Sequence, residues 1–135
     1  MLNPNTFGIK NMNQSISSFF KIKTTVHTFK LDFAPSNILN LSTSSNASFF
    51  NNFTSLNKNF TTVLININIR IDYMNNDNEI FYKKENIKDI VNICTGDNIM
   101  ESNCIVDINI LDIGVININN NAVSMYITFY TFLDT

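Results

Sequence analysis

The chain has 135 residues, of which 44% are apolar and 12% aromatic while 15% carry a charge, and its formal net charge is −2. That length fits one domain with one sizeable core, the apolar content excludes an intrinsically disordered chain, and nine scattered basic residues exclude the concentrated cationic footprint that nucleic-acid phosphates require. Charge falls below the roughly 25% of ordinary soluble domains, and Asn, Ser and Thr supply the polarity instead.

Two origins fit that balance: AT-rich codon usage, or a surface covered by neighbours, where charges are depleted. Codon bias would also inflate Lys, which is not abundant, so the covered surface is favoured. No positively charged start leads into an apolar run, and no apolar stretch reaches membrane-spanning length. The expectation is a chain made in a cytoplasm without a signal peptide, with no membrane or nucleic-acid partner and a virion as one destination.

Residues 1–20, MLNPNTFGIKNMNQSISSFF, follow neither a helical nor a strand period, and Pro4 and Gly8 punctuate them. They read as an extended N-terminal arm ahead of a single domain over 21–135, with Phe7, Ile9, Phe19 and Phe20 as anchors on a neighbouring subunit. From Ile22 to Phe33, Phe29, Leu31 and Phe33 alternate with Lys30 and Asp32, whereas Ile22, Thr24 and Val26 fall on the opposite parity. The segment therefore predicts a strand with a bulge near His27, or one that turns between sheets there. Pro35 ends it.

Ile38 to Asn59 is rich in Ser, Asn and Phe and reads as a long connection. Phe49, Phe50 and Phe53 within it are expected to pack back as a lid or to form a contact surface for another chain. Phe60 to Tyr73, FTTVLININIRIDY, is the clearest strand: its odd positions from Val63 to Tyr73 are apolar and its even positions from Asn66 to Asp72 are polar. Met74 to Asn78 reads as a turn, and Glu79 to Lys83 as the returning strand of a hairpin. Ile87, Ile90, Val91 and Cys94 recur at helical spacing with Gly96 beyond them, which predicts a short helix over Asn86 to Cys94.

Cys104 to Leu111 alternates again, Asp112-Ile113-Gly114 breaks the register, Val115 to Ile118 resumes as a strand, and Asn119 to Asn121 turns. In the last strand, Ala122 to Leu133, one face carries Val123, Met125, Ile127 and Phe129. The other carries Tyr126, Tyr130 and Phe132, an aromatic face that predicts a second packed layer or a partner.

Candidate chemistry is sparse. His27 is the sole histidine and has no partner at triad or metal spacing. Cys94 and Cys104 fit neither a redox pair nor a zinc knuckle and read as buried thiols. The acidic and amide run from Asp72 to Glu79 lacks the glycine and spacing of a calcium loop, and no glycine-rich phosphate loop is present. No cofactor or metal is implied.

The expected fold is all-β, mainly antiparallel: a two-layer β-sandwich or jelly-roll-like domain of roughly six to eight strands with one short helix. The expected function is a non-enzymatic structural subunit of a large protein assembly, a homo-oligomer or part of a heterologous lattice, such as a virus or phage capsid, head-decoration or tail component. A carbohydrate- or protein-binding module using Phe49, Phe50 or Tyr126 is the alternative, and a small enzyme using His27 or a cysteine ranks last.

Overall fold

A computed structural model describes residues 18–135 of the chain. Six strands follow one another: β1 (Ser18–Lys30), β2 (Asn37–Ser55), β3 (Lys58–Met74), β4 (Ile80–Gly96), β5 (Ile105–Asn119) and β6 (Ala122–Asp134). They form two three-stranded antiparallel sheets, a front sheet ordered β1-β6-β5 and a back sheet ordered β2-β3-β4. The sheets pack face to face with β1 across from β4 and β5 across from β2, which leaves the central strands β6 and β3 opposite each other. The result is the expected two-layer sandwich, with consecutive strands joined mostly by hairpins.

The sandwich is built around β3 and β6 because these strands alternate most cleanly. On β3, Val63, Ile65, Ile67, Ile69, Ile71 and Tyr73 are between 0% and 2% exposed. On β6, Val123, Met125, Ile127, Phe129 and Leu133 are all at 0%. Each full burial of such a side chain is worth roughly 1.5–3 kcal/mol relative to leaving it in water, so these two rows dominate the core. β-Branched residues suit them, since their restricted χ1 fits a pleated surface.

Turns follow from residue types that tolerate left-handed backbone. Asn78 (φ +62°) and Asn120 (φ +58°) sit in the β3–β4 and β5–β6 connections. Asn75 organises the first of these: its Oδ1 accepts from the backbone N–H groups of Asp77 and Glu79, and its Nδ2 donates to Glu79 Oε1. The β2–β3 hairpin uses Leu56 and Asn57, with φ of +52° and +64°, the pair of positive angles that a tight two-residue hairpin demands.

Three expectations are corrected. The helix over Asn86 to Cys94 does not form; those residues belong to β4, which pairs with β3 from Ile80 to Gly96. Ile87, Val91 and Ile93 face inward, while Ile90 and Cys94 face outward, and Asp89 at an inward position breaks the alternation that would have revealed a strand. The connection over Ile38 to Asn59 is instead β2 and the start of β3. Two register shifts, between Ile38 and Asn40 and between Phe49 and Asn51, invert its parity twice, and its inward residues include small Thr43, Ser45 and Ala47. β1 carries no bulge near His27: its ladder with β6 is unbroken from Ser18 to Lys30. The register break expected at Asp112-Ile113-Gly114 is present: β5 carries register shifts at Ile110/Asp112 and Val115/Asn117 and continues as one strand.

Of the expected arm, residues 1–17 lie outside the described residues, Phe7 and Ile9 among them. Ser18, Phe19 and Phe20 already belong to β1.

Candidate interaction surface

The unbroken β1–β6 ladder fixes which β1 side chains share a face with which β6 side chains. Phe20 stands beside Phe132, Ile22 beside Tyr130, Thr24 beside Thr128 and Val26 beside Tyr126. All of these point away from the core. Phe20 is 60% exposed, Ile22 54% and Val26 60%. The Phe20 and Tyr130 rings lie 5.4 Å apart and those of Tyr130 and Phe132 6.3 Å apart, so these three aromatics form one connected cluster. A hydroxyl pair of Thr24 and Thr128 separates this cluster from Val26 and Tyr126, and a second pair of Thr28 and Ser124 lies beyond them, each at 2.8 Å. Apolar side chains gathered on an outer sheet face are uncommon on a monomer, and patches of this kind are frequent at interaction sites.

The β5 column of the same face is acidic. Asp107 lies beside Phe132, Asn109 beside Tyr130 and Asp112 beside Thr128. Tyr126 donates its phenol to Asp112 Oδ2 at 2.9 Å and lies flat over Gly114, where an added Cβ would come within 2.7 Å of the ring. The absence of a side chain at Gly114 is what lets the ring lie down on the strand. The hydrogen bond to Asp112, aided by a little desolvation and by the carboxylate charge, pushes the Tyr126 phenol above its ordinary value.

The outer face of the back sheet has different chemistry. Its rows run Ser42-Arg70-Lys84, Ser44-Asn68-Asn86, Asn46-Asn66-Lys88 and Ser48-Leu64-Ile90. Asn86 Nδ2 bridges the side-chain oxygens of Asn66 and Asn68 at 2.6 and 2.7 Å, and the Arg70 guanidinium lies 4.2 Å over the Tyr82 ring. Because the β2 side chains are small, the face is troughed. One hollow of about 550 Å³ is lined by Ser42, Ser44, Arg70 and Lys84 among others, and another of about 460 Å³ by Ser48, Leu64, Lys88 and Ile90 among others.

Lysine contacts guard the β1–β4 side of the sandwich against strand addition. From β1, Lys21 donates to the Asn92 carbonyl at 3.2 Å and Lys23 to the Ile90 carbonyl at 3.3 Å. Lys23 also sits 3.1 Å from both Asp89 carboxylate oxygens. On the return side, Lys83 of β4 donates to the Lys30 carbonyl of β1. Lysines laid on edge carbonyls block sheet extension, and the bulges of β2 and β5 serve the same end on the other side. These edge features disfavour association by strand addition.

The expected contact residues divide between inside and outside. Phe20, Tyr126, Tyr130 and Phe132 come together on the front face. Phe19 and Phe49 turn inward and pack against the core, Phe50 stands out at a bulge of β2, and Phe53 stacks on Phe60 at 5.2 Å on the back sheet. Ile22 and Val26 were missed as surface residues; only their parity, once β1 is known to be unbroken, reveals them.

His27 is half-buried on the inner side of β1, with Nε2 3.1 Å from the Thr25 hydroxyl and its ring parallel to Phe29. Cys94 faces outward from the back sheet, so His27 and Cys94 lie on different faces of different sheets. Contrary to expectation Cys94 is exposed, and Cys104 is half-buried, its thiol raised by desolvation against the opposing pull of a backbone hydrogen bond. Among the described residues, no three His, Cys, Asp or Glu side chains are grouped to hold a metal ion. Compared with protein-family models, with curated proteins and with solved structures, the chain matches none.

Proposed function

We propose that this protein is a non-enzymatic structural subunit of a protein assembly, joined to its neighbours through the outer face of the front sheet. The observation that carries the reading is the outer face of β1 and β6, where Phe20, Ile22 and Val26 are more than half exposed beside half-buried Phe132, Tyr130 and Tyr126. Covering each of the exposed side chains would contribute on the order of 1–2 kcal/mol, and aromatic residues are the usual anchors of interface cores. The guarded edges support the same reading, because they remove sheet extension as a competing and uncontrolled mode of association. Within this class, a capsid, head-decoration or tail component of a virus or phage is the setting that the sparse charge and abundant amide content suggest.

A binding module for carbohydrate or protein is the second reading. Its support is the amide-rich back face with the Arg70–Tyr82 stack. It is weaker, because Arg70 covers the ring face that a sugar would need and because Phe49 and Phe50 point to opposite sides of β2.

The test is the mass of the full chain in solution by light scattering over a range of concentrations, beside a Phe20→Ser/Phe132→Ser variant. We expect multiples of the 15.4 kDa chain mass for the native sequence and a monomer with a nearly unchanged melting temperature for the variant. A native chain that stays monomeric throughout, or a variant that assembles equally well, would count against the reading.

A further inference from the structure

The two outer faces are complementary in charge, and the match extends to spacing. Among the described residues of the front face, Asp107, Asp112 and Asp134 stand against Lys30 alone, and among those of the back face, Arg70, Lys84 and Lys88 stand against Asp72 alone. Asp107 and Asp112 lie beside Phe132 and Thr128, four residues apart on β6, with Asn109 between them. Lys84 and Lys88 lie beside Arg70 and Asn66, four residues apart on β3, with Asn86 between them. At roughly 3.3 Å per residue, both charge pairs are spaced by about 13 Å.

The geometry points to a stack in which the front sheet of one copy lies on the back sheet of the next, with successive copies related by a half-turn about the stacking direction. This inference rests on the assembly reading above and names the partner as a second copy of the chain. Within one molecule β1, β6 and β5 lie across from β4, β3 and β2. A half-turn of the next copy therefore brings its β4 over β5, its β3 over β6 and its β2 over β1. Because β4 and β5 run in opposite directions within a molecule, the same half-turn makes them run together across the contact. Asp107 then meets Lys84, Asn109 meets Asn86, and Asp112 meets Lys88.

Of the remaining rows one opposes the contact: Asp134, one row beyond Phe132, comes over Asp72, whose carboxylate the Arg70 guanidinium already holds at 3.0 Å; the others fit. Phe132 comes over the Arg70 guanidinium, the arrangement of a cation–π pair. Phe20 and Ile22 come over Ser42 and Ser44, the small residues that line one trough. Val26 and Tyr126 come over Ser48, Leu64 and Ile90, and the last two are apolar side chains exposed by 37% and 55% in the isolated chain. Pairing two front faces would instead leave the β5 carboxylates against β1 apolar groups or against one another, both of which are unfavourable. A front-to-back contact uses two different surfaces, so it does not close into a dimer; it propagates as a linear stack.

Charge exchange tests the stack in the full chain. Asp107→Lys/Asp112→Lys and Lys84→Glu/Lys88→Glu change only exposed side chains, and circular dichroism with a melting curve checks that each variant keeps its fold. Either variant alone should raise the concentration at which half the chain is assembled by about tenfold or more, since like charges then face each other. An equimolar mixture of the two should recover the native value, because each then presents the complement of the other, and a chain carrying all four changes should assemble by itself. Assembly that is sensitive to the front-face variant but indifferent to Lys84→Glu/Lys88→Glu would overturn the stack while leaving the assembly reading in place. Failure of the mixture to recover assembly would overturn it likewise, whereas a native chain that never assembles overturns both.

Discussion

On the back sheet, the outward positions of β3 from Asn66 to Asp72 are two amides, a guanidinium and a carboxylate. On the front sheet, the outward positions of β6 from Tyr126 to Phe132 are Tyr, Thr, Tyr and Phe. Beneath them the two strands are alike, each presenting an unbroken inward row with almost no exposure. The inward rows suffice to hold the sheets together, so outward chemistry is not dictated by folding. The aromatic outward row on one sheet and the amide and cation row on the other are the difference on which the proposed assembly rests.

Removing the support common to both faces should produce the largest effect. Ile67→Ala, at a fully buried position of β3, should destabilise the fold by about 2–5 kcal/mol through lost transfer energy and the cavity left behind. Denaturant unfolding would measure it, and any loss of assembly should follow the loss of fold.

A change beneath the front face should act in the opposite direction. Thr131 is fully buried on the inner side of β6, and its hydroxyl has no hydrogen-bond partner among the described residues. Thr131→Val removes that unsatisfied group while keeping the shape, so stability should rise by about 1 kcal/mol, with assembly unchanged. A lower melting temperature would mean that the hydroxyl is satisfied after all and that the front sheet tolerates less than proposed.

The smallest effect is local to the front face. In Asp112→Asn the Tyr126 phenol should fall back toward its ordinary pKa, followed by the ring resonances of Tyr126 during an alkaline titration. The sign follows from which form is bonded: the protonated phenol donates to Asp112, so its folded pKa is raised. The bond is intact below the ordinary phenol range and is lost as pH climbs through the raised value. An unshifted Tyr126 titration in the variant would remove Asp112 as the cause.

Much of this architecture could be read from residue pattern alone. The alternation from Val63 to Tyr73 and from Val123 to Phe129 specifies two buried strand faces, because side chains on a strand alternate with a period of two. The Asn-rich turns after Met74 and after Asn119 specify two hairpins, because Asn tolerates left-handed backbone. The aromatic outward face of β6 follows from the same parity, and with it three members of the candidate surface.

What the pattern alone could not decide is the parity of β1, β2 and β4, the three strands on or near the open sides of the sandwich. On β1 and β4 the inward positions include Lys23, Thr25, His27 and Asp89, so hydrophobicity no longer marks the inside. Lys23 reaches Asp89 and the Ile90 carbonyl only once the sheets are stacked, and that contact is what makes those polar positions tolerable indoors. The same pairing turns Ile22 and Val26 outward onto the aromatic face and converts an apparent helix into an edge strand. On β2, two bulges reverse the alternation and small residues flatten it, and pairing with β3 restores the register. Local pattern therefore specified the strands whose inward faces are uniformly apolar, and packing of one sheet on the other specified the rest, because only there do the polar inward groups acquire partners.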